Sequence, residues 1–113
     1  MPQNLAAARL ILIIVASSYP IAGALLLWAK HKGEDVPWLW PAVWFVTGAA
    51  GLVLSLMLSP SRTWPLWPAV LALGPIMLVS LLVDIRHGYW LIAAIDVAGL
   101  VAIAYAAFVG SSR

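Results

Sequence analysis

Few side chains within the long apolar stretches of this chain could do chemistry, and Asp96 stands out among them. It lies in "LIAAIDVAGLVAIAYAAF" (91–108), which carries no other charge. A carboxyl group in such a setting can bind and release a proton or cation, or tie neighbouring helices together. Hydroxyls that could serve it are Ser18 and Tyr19 in "ASSYPIAG" and Thr47 in "FVTGAAG". Pro20 and Pro75 each interrupt an apolar run. Neither can donate a backbone hydrogen bond, so the carbonyls of Ala16 and Leu71 need another partner.

Composition says what kind of element must hold these groups. The chain has 113 residues, of which 65% are hydrophobic and 9% charged, and its mean hydropathy is +1.04. A soluble domain carries about 25% charged residues, so this chain has too little polarity to cover a water-facing surface. The net charge of +2 is too sparse for nucleic-acid binding. There is no cysteine, which excludes disulfides, thiolate metal sites and cysteine nucleophiles.

Crossing a bilayer takes about 20 mainly apolar residues, and four segments qualify: about 10–29, 38–58, 64–83 and 89–109. The breaks between them are "KHKGEDVP", "SPSRT" and "DIRHG". Such short connections make consecutive helices antiparallel neighbours. The expected fold is therefore all-α: a single transmembrane domain in which four antiparallel helices form an up-down bundle. Tryptophans mark the segment ends, with Trp28, Trp38, Trp40 and Trp90 towards one surface and Trp64 and Trp67 towards the other. Indoles favour the headgroup level. The first segment continues through "LLLWA" beyond any small-residue cleavage site, so it is read as a retained span.

"LWPAV" occurs at 39–43 and again at 66–70, each time opening a span. Interfacial tryptophan and first-turn proline account for the recurrence without a duplication. Side A, with both termini, carries Arg9, Arg62 and Arg113; side B carries Lys30, Lys32 and Arg86. This tie leaves orientation undecided by the positive-inside bias. Either a partner or an interfacial detail sets the orientation, or oppositely inserted copies form an antiparallel dimer.

Asp96 lies roughly 10 Å in from side B at 1.5 Å per residue. Ser18, Tyr19, Pro20, Thr47, Gly48, Gly74 and Pro75 fall at comparable depth, so one layer collects most of the polarity. Ala93 and Gly99 flank Asp96 on its own face and allow a neighbouring helix to come close. No basic residue lies in any span. Asp96 is tolerable there as a neutral acid hydrogen-bonded to hydroxyls or freed carbonyls.

Other chemistry finds little support. His31, Glu34, Asp35, Asp84 and His87 lack ligand spacing and read as a solvated surface, so no metal or other cofactor is expected. Asp84-Ile85-Arg86 reads as the capped, anchored end of the third helix. No phosphate loop, nucleophile elbow or paired carboxylates are visible, which argues against an enzyme. Size, span number and an intramembrane carboxyl resemble the small multidrug resistance transporters in outline. That family's essential carboxylate is a glutamate in the first span, and "LILIIVASSYPIAGALLL" has none.

Two functional classes follow. One is a proton- or cation-coupled transporter or channel-like protein, working as a homo-oligomer through Asp96. The other is an accessory or scaffold subunit of a larger membrane complex, its polar layer purely structural. The partners expected are the lipid bilayer and protein subunits, not nucleic acid.

Overall fold

The computed structural model describes residues 3–111 and is all-helical. The helices are α1 (Gln3–His31), α2 (Leu39–Met57), α3 (Leu66–Arg86) and α4 (Trp90–Ser111). All four are long and apolar enough to cross a membrane. Arg113, counted in the charge tie, lies outside the described residues. α1 begins well before the expected boundary at residue 10. Its extra turns, "QNLAAAR", are rich in alanine, the best helix former, yet too polar to count towards an apolar span.

Helix ends follow local rules. Pro41 and Pro68 fall in the first turns of α2 and α3, where backbone N–H groups have no intrahelical acceptor. At its C-terminus α1 closes through Gly33 (φ 95°): the Gly33 N–H donates to the Lys30 carbonyl and the Glu34 N–H to the Ala29 carbonyl. α3 ends in the same way at Gly88 (φ 76°), with Gly88 N–H donating to Ile85 and Tyr89 N–H to Asp84. These are Schellman motifs, which need a left-handed residue just past the helix. Glycine adopts that conformation without a Cβ clash. Between α2 and α3 the chain turns on reciprocal Ser59–Arg62 backbone bonds of 2.9 and 3.0 Å.

Packing runs round a ring: α1 adjoins α2 and α4, and α3 adjoins α2 and α4. Each helix buries one narrow stripe. On α2 it is Pro41, Trp44, Gly48, Gly51 and Ser55; on α3 it is Leu66, Ala69, Leu73, Met77 and Ser80. These three- and four-residue steps keep one face inward. The outward faces remain apolar, as Leu39, Leu71, Leu91 and Phe108 illustrate.

At Gly48, α1 and α2 come very close. A Cβ at Gly48 would lie 2.6 Å from the Tyr19 Cβ, 3.1 Å from the Pro20 Cδ and 3.3 Å from the Ala16 carbonyl oxygen. That carbonyl is the one Pro20 leaves without its helical donor. Glycine therefore brings the α2 backbone onto the point where α1 is broken. Gly99 of α4 is also covered, but by the Met77 methyl, 2.7 Å from where its Cβ would be. A methionine tip can swing aside; Tyr19 Cβ and the Pro20 ring cannot. Gly48→Ala should thus destabilise the fold by about 1–3 kcal/mol, as overpacking does, and Gly99→Ala by clearly less. Reversible unfolding in mixed micelles measures both, and equal losses would contradict this packing.

Candidate functional site

Asp96 faces inward. It is 4% exposed, whereas Leu91 on the same helix is 78% exposed. Its partner is a hydroxyl on α3: Ser80 Oγ lies 3.2 Å from Asp96 Oδ2. The same Oγ lies 3.3 Å from Oδ2 of Asp84, one turn further along α3. A buried serine thus joins an interior acid to a half-buried acid near the helix end.

This corrects one reading of the sequence and extends another. Acidic groups are paired, across α3 and α4. The Asp84 backbone does help to close α3, its carbonyl accepting from the Tyr89 N–H in the Gly88 turn, but its side chain has a further role. The Asp84 carboxyl points back towards Ser80. A negative group in the last turn of a helix opposes the helix dipole, so helix stability does not explain its position.

The chemistry follows from a proton count. The Ser80 hydroxyl has a single proton and donates to one carboxyl at a time. If both acids are ionised, the other carboxylate faces an oxygen lone pair and a second negative charge. A proton on either acid, or a small cation among the oxygens, completes the cluster. The arrangement suits reversible binding of a single positive charge.

The remaining sequence candidates lie elsewhere. Tyr19 is fully buried, but its hydroxyl donates to the Leu73 carbonyl of α3. Ser18 bonds back to Val15 within α1 at 2.6 Å. Thr47 lies half-buried on α2, and α2 does not adjoin α4. Pro20 and Pro75 are internal to α1 and α3, with Pro20 packed beside Gly48 and Pro75 exposed. The layer at common depth is therefore not one connected network. Tyr19 instead forms an aromatic group with Trp44 (ring centroids 4.7 Å apart), and Trp44 meets Trp40 at 5.7 Å.

Ser80 was the residue missed. Its position matches only once the helix ends are known: it lies six residues before the end of α3 at Arg86, as Asp96 lies six after the start of α4 at Trp90. The Ser80-x-x-x-Asp84 spacing also puts both side chains on one helical face. Among the described residues, no group of three or more His, Asp or Glu side chains could hold a metal ion. His87 instead contacts the Val83 carbonyl at 2.8 Å and stacks on Tyr89.

Replacing Asp96 by Asn keeps a hydrogen-bonding side chain of the same shape, so stability should change by no more than about 1 kcal/mol. Asp96→Ala strands the Ser80 hydroxyl and should cost more. Ser80→Ala should resemble the alanine variant more than the asparagine one. Unfolding titrations of the three proteins check this, and indistinguishable midpoints for Asn and Ala at position 96 would show that the contact contributes nothing. Comparison of the chain with protein-family models, curated proteins and solved structures finds no match.

Proposed function

We propose that this chain is a small multi-pass membrane protein whose four helices cross the bilayer antiparallel, as an up-down bundle. In this reading it assembles into a homo-oligomer and moves protons or small cations by loading and unloading the Asp96 site. The contact register supports the antiparallel arrangement: Gly23 meets Phe45, Gly48 meets Tyr19, and Arg9 reaches the Leu56 carbonyl at 3.5 Å. Positions thus rise along α1 as they fall along α2. The apolar exterior supports insertion, since in water it would be an aggregation surface.

The observation that carries the functional reading is the Ser80 hydroxyl held between Asp84 and Asp96. Ionisable groups placed inside a membrane are costly and usually serve function. Here the interior acid is linked to one nearer the end of α3, which gives a proton a short route between the headgroup level and the buried site. A helix tie alone needs no second acid. Four helices enclose little space, so a through-path requires a neighbouring copy.

A specific observation favours the alternative, an accessory subunit of a larger membrane complex. Other buried hydroxyls are already engaged with carbonyls: Tyr19 with Leu73, and Ser55 with Gly51 at 2.6 Å. No polar chain continues from Asp96 towards the opposite end through them. In that reading the acid pair only fixes how α3 and α4 pack.

Topology is tested with single cysteines at Ser61 and Ser111, which should label from one side of the membrane, and at Gly33, which should label from the other. Ser61 and Ser111 reacting from opposite sides would overturn the up-down arrangement. Function is tested in liposomes. Wild-type protein should carry a proton or monovalent-cation flux that a lipophilic carbodiimide abolishes by reacting with Asp96. Asp96→Asn should fold normally and carry none. A folded wild-type protein without flux, stable only together with other subunits, decides for the accessory reading.

A further inference from the structure

The connection between α1 and α2 forms an open cleft with an unusual charge pattern. Its walls are Leu27, Lys30, His31, Gly33, Glu34 and Trp38, and its volume is about 560 Å³. Lys30 is not a loose surface lysine. Its ammonium donates to the Val36 carbonyl at 2.6 Å and sits 4.6 Å from the centre of the Trp38 ring. An ammonium has three N–H donors, so others remain for a ligand. Glu34 lines the same cleft, and its backbone N–H closes the Schellman turn on Ala29, which sets its main chain beside that of Lys30. The glycine turn thus sets one cationic and one anionic residue on the lining of a single small opening. Lys32 faces a separate indole, 4.2 Å from the Trp28 ring centre.

We infer that this cleft binds the headgroup of a zwitterionic phospholipid carrying a primary amine. Lys30 takes the phosphate and Glu34 the ammonium, while Leu27 packs against the start of the acyl chains. The inference rests on the proposed membrane insertion, which puts this connection and its tryptophans at headgroup depth. The charge pattern narrows the class of lipid. A purely anionic headgroup would satisfy Lys30 but meet repulsion from Glu34. A trimethylammonium cannot donate a hydrogen bond to the Glu34 carboxylate, and its usual alternative, an aromatic face, is one Lys30 already uses at Trp38.

The test uses the full chain in nanodiscs of phosphatidylcholine containing phosphatidylethanolamine or phosphatidylglycerol as a minor component. Lipid retained on release is counted by native mass spectrometry. Phosphatidylethanolamine should be retained several-fold over its share in the bilayer, and phosphatidylglycerol should not. Lys30→Gln should abolish the enrichment. Glu34→Lys should invert it in favour of phosphatidylglycerol, a gain that misfolding could not produce. Equal retention of all three lipids, or an unchanged preference in Glu34→Lys, overturns the inference. So does competition by soluble phosphoethanolamine at the lipid's own concentration, which would make the cleft a site for a free metabolite. Extraction of the chain from native membranes by alkaline carbonate would instead refute the membrane reading, and this inference with it.

Discussion

With the outward face of every helix apolar, whatever polarity the helices carry must be satisfied inside the bundle or at its ends. Most features of the structure answer that constraint. Ser18, Ser55 and Tyr19 all give their hydroxyl protons to backbone carbonyls. Gly48 lets α2 close over the carbonyl that Pro20 leaves open. Asp96, the one charged residue of α4, turns inward to a serine. If lipid surrounds the bundle, burying aliphatic surface gives little association energy, and close backbone approach with internal hydrogen bonds has to hold the helices together. The small residues at Gly48 and Gly51 are then as important to cohesion as the larger ones.

The elements were legible because length and hydropathy are read along a single helix. Three short polar breaks placed four helices, and the observed ends differ mainly at the start of α1. The stripe containing Asp96 was legible too, from Ala93 and Gly99 on its face. Its partner was not. Depth alone gathered Ser18, Tyr19 and Thr47 with Asp96, but depth does not say which helices touch or which way a hydroxyl points. Ser18 illustrates the second difficulty, since a serine within a helix readily bonds back to the preceding turn. Thr47 illustrates the first, because α2 and α4 sit diagonally across the ring. Counting from the observed ends of α3 and α4 pairs Ser80 with Asp96, whereas counting from the polar break at 84–88 does not.

The two glycine-closed turns show how local chemistry sets up the ends of the bundle. Gly33 and Gly88 have nothing within 4 Å of where a Cβ would lie, so backbone conformation alone selects glycine there. Each turn fixes ionisable residues as well as ending a helix. At Gly33 the turn takes up the backbone carbonyl of Lys30 and the N–H of Glu34; at Gly88 it takes up the Asp84 carbonyl and leaves its carboxyl to Ser80.

Trp44 gives the molecule an optical property of its own. Of the seven indoles, Trp28, Trp38, Trp64, Trp67 and Trp90 are more than half exposed and Trp40 is half-buried, while Trp44 is 4% exposed. Brominated acyl chains or an aqueous quencher would extinguish the exposed rings and leave Trp44 emitting. That residual emission arises beside Tyr19, where α1, α2 and α3 meet, because the Tyr19 ring touches Trp44 and its hydroxyl holds the Leu73 carbonyl. Loosening of this junction can therefore be followed in real time, in unlabelled protein, as the surviving fluorescence becomes quenchable.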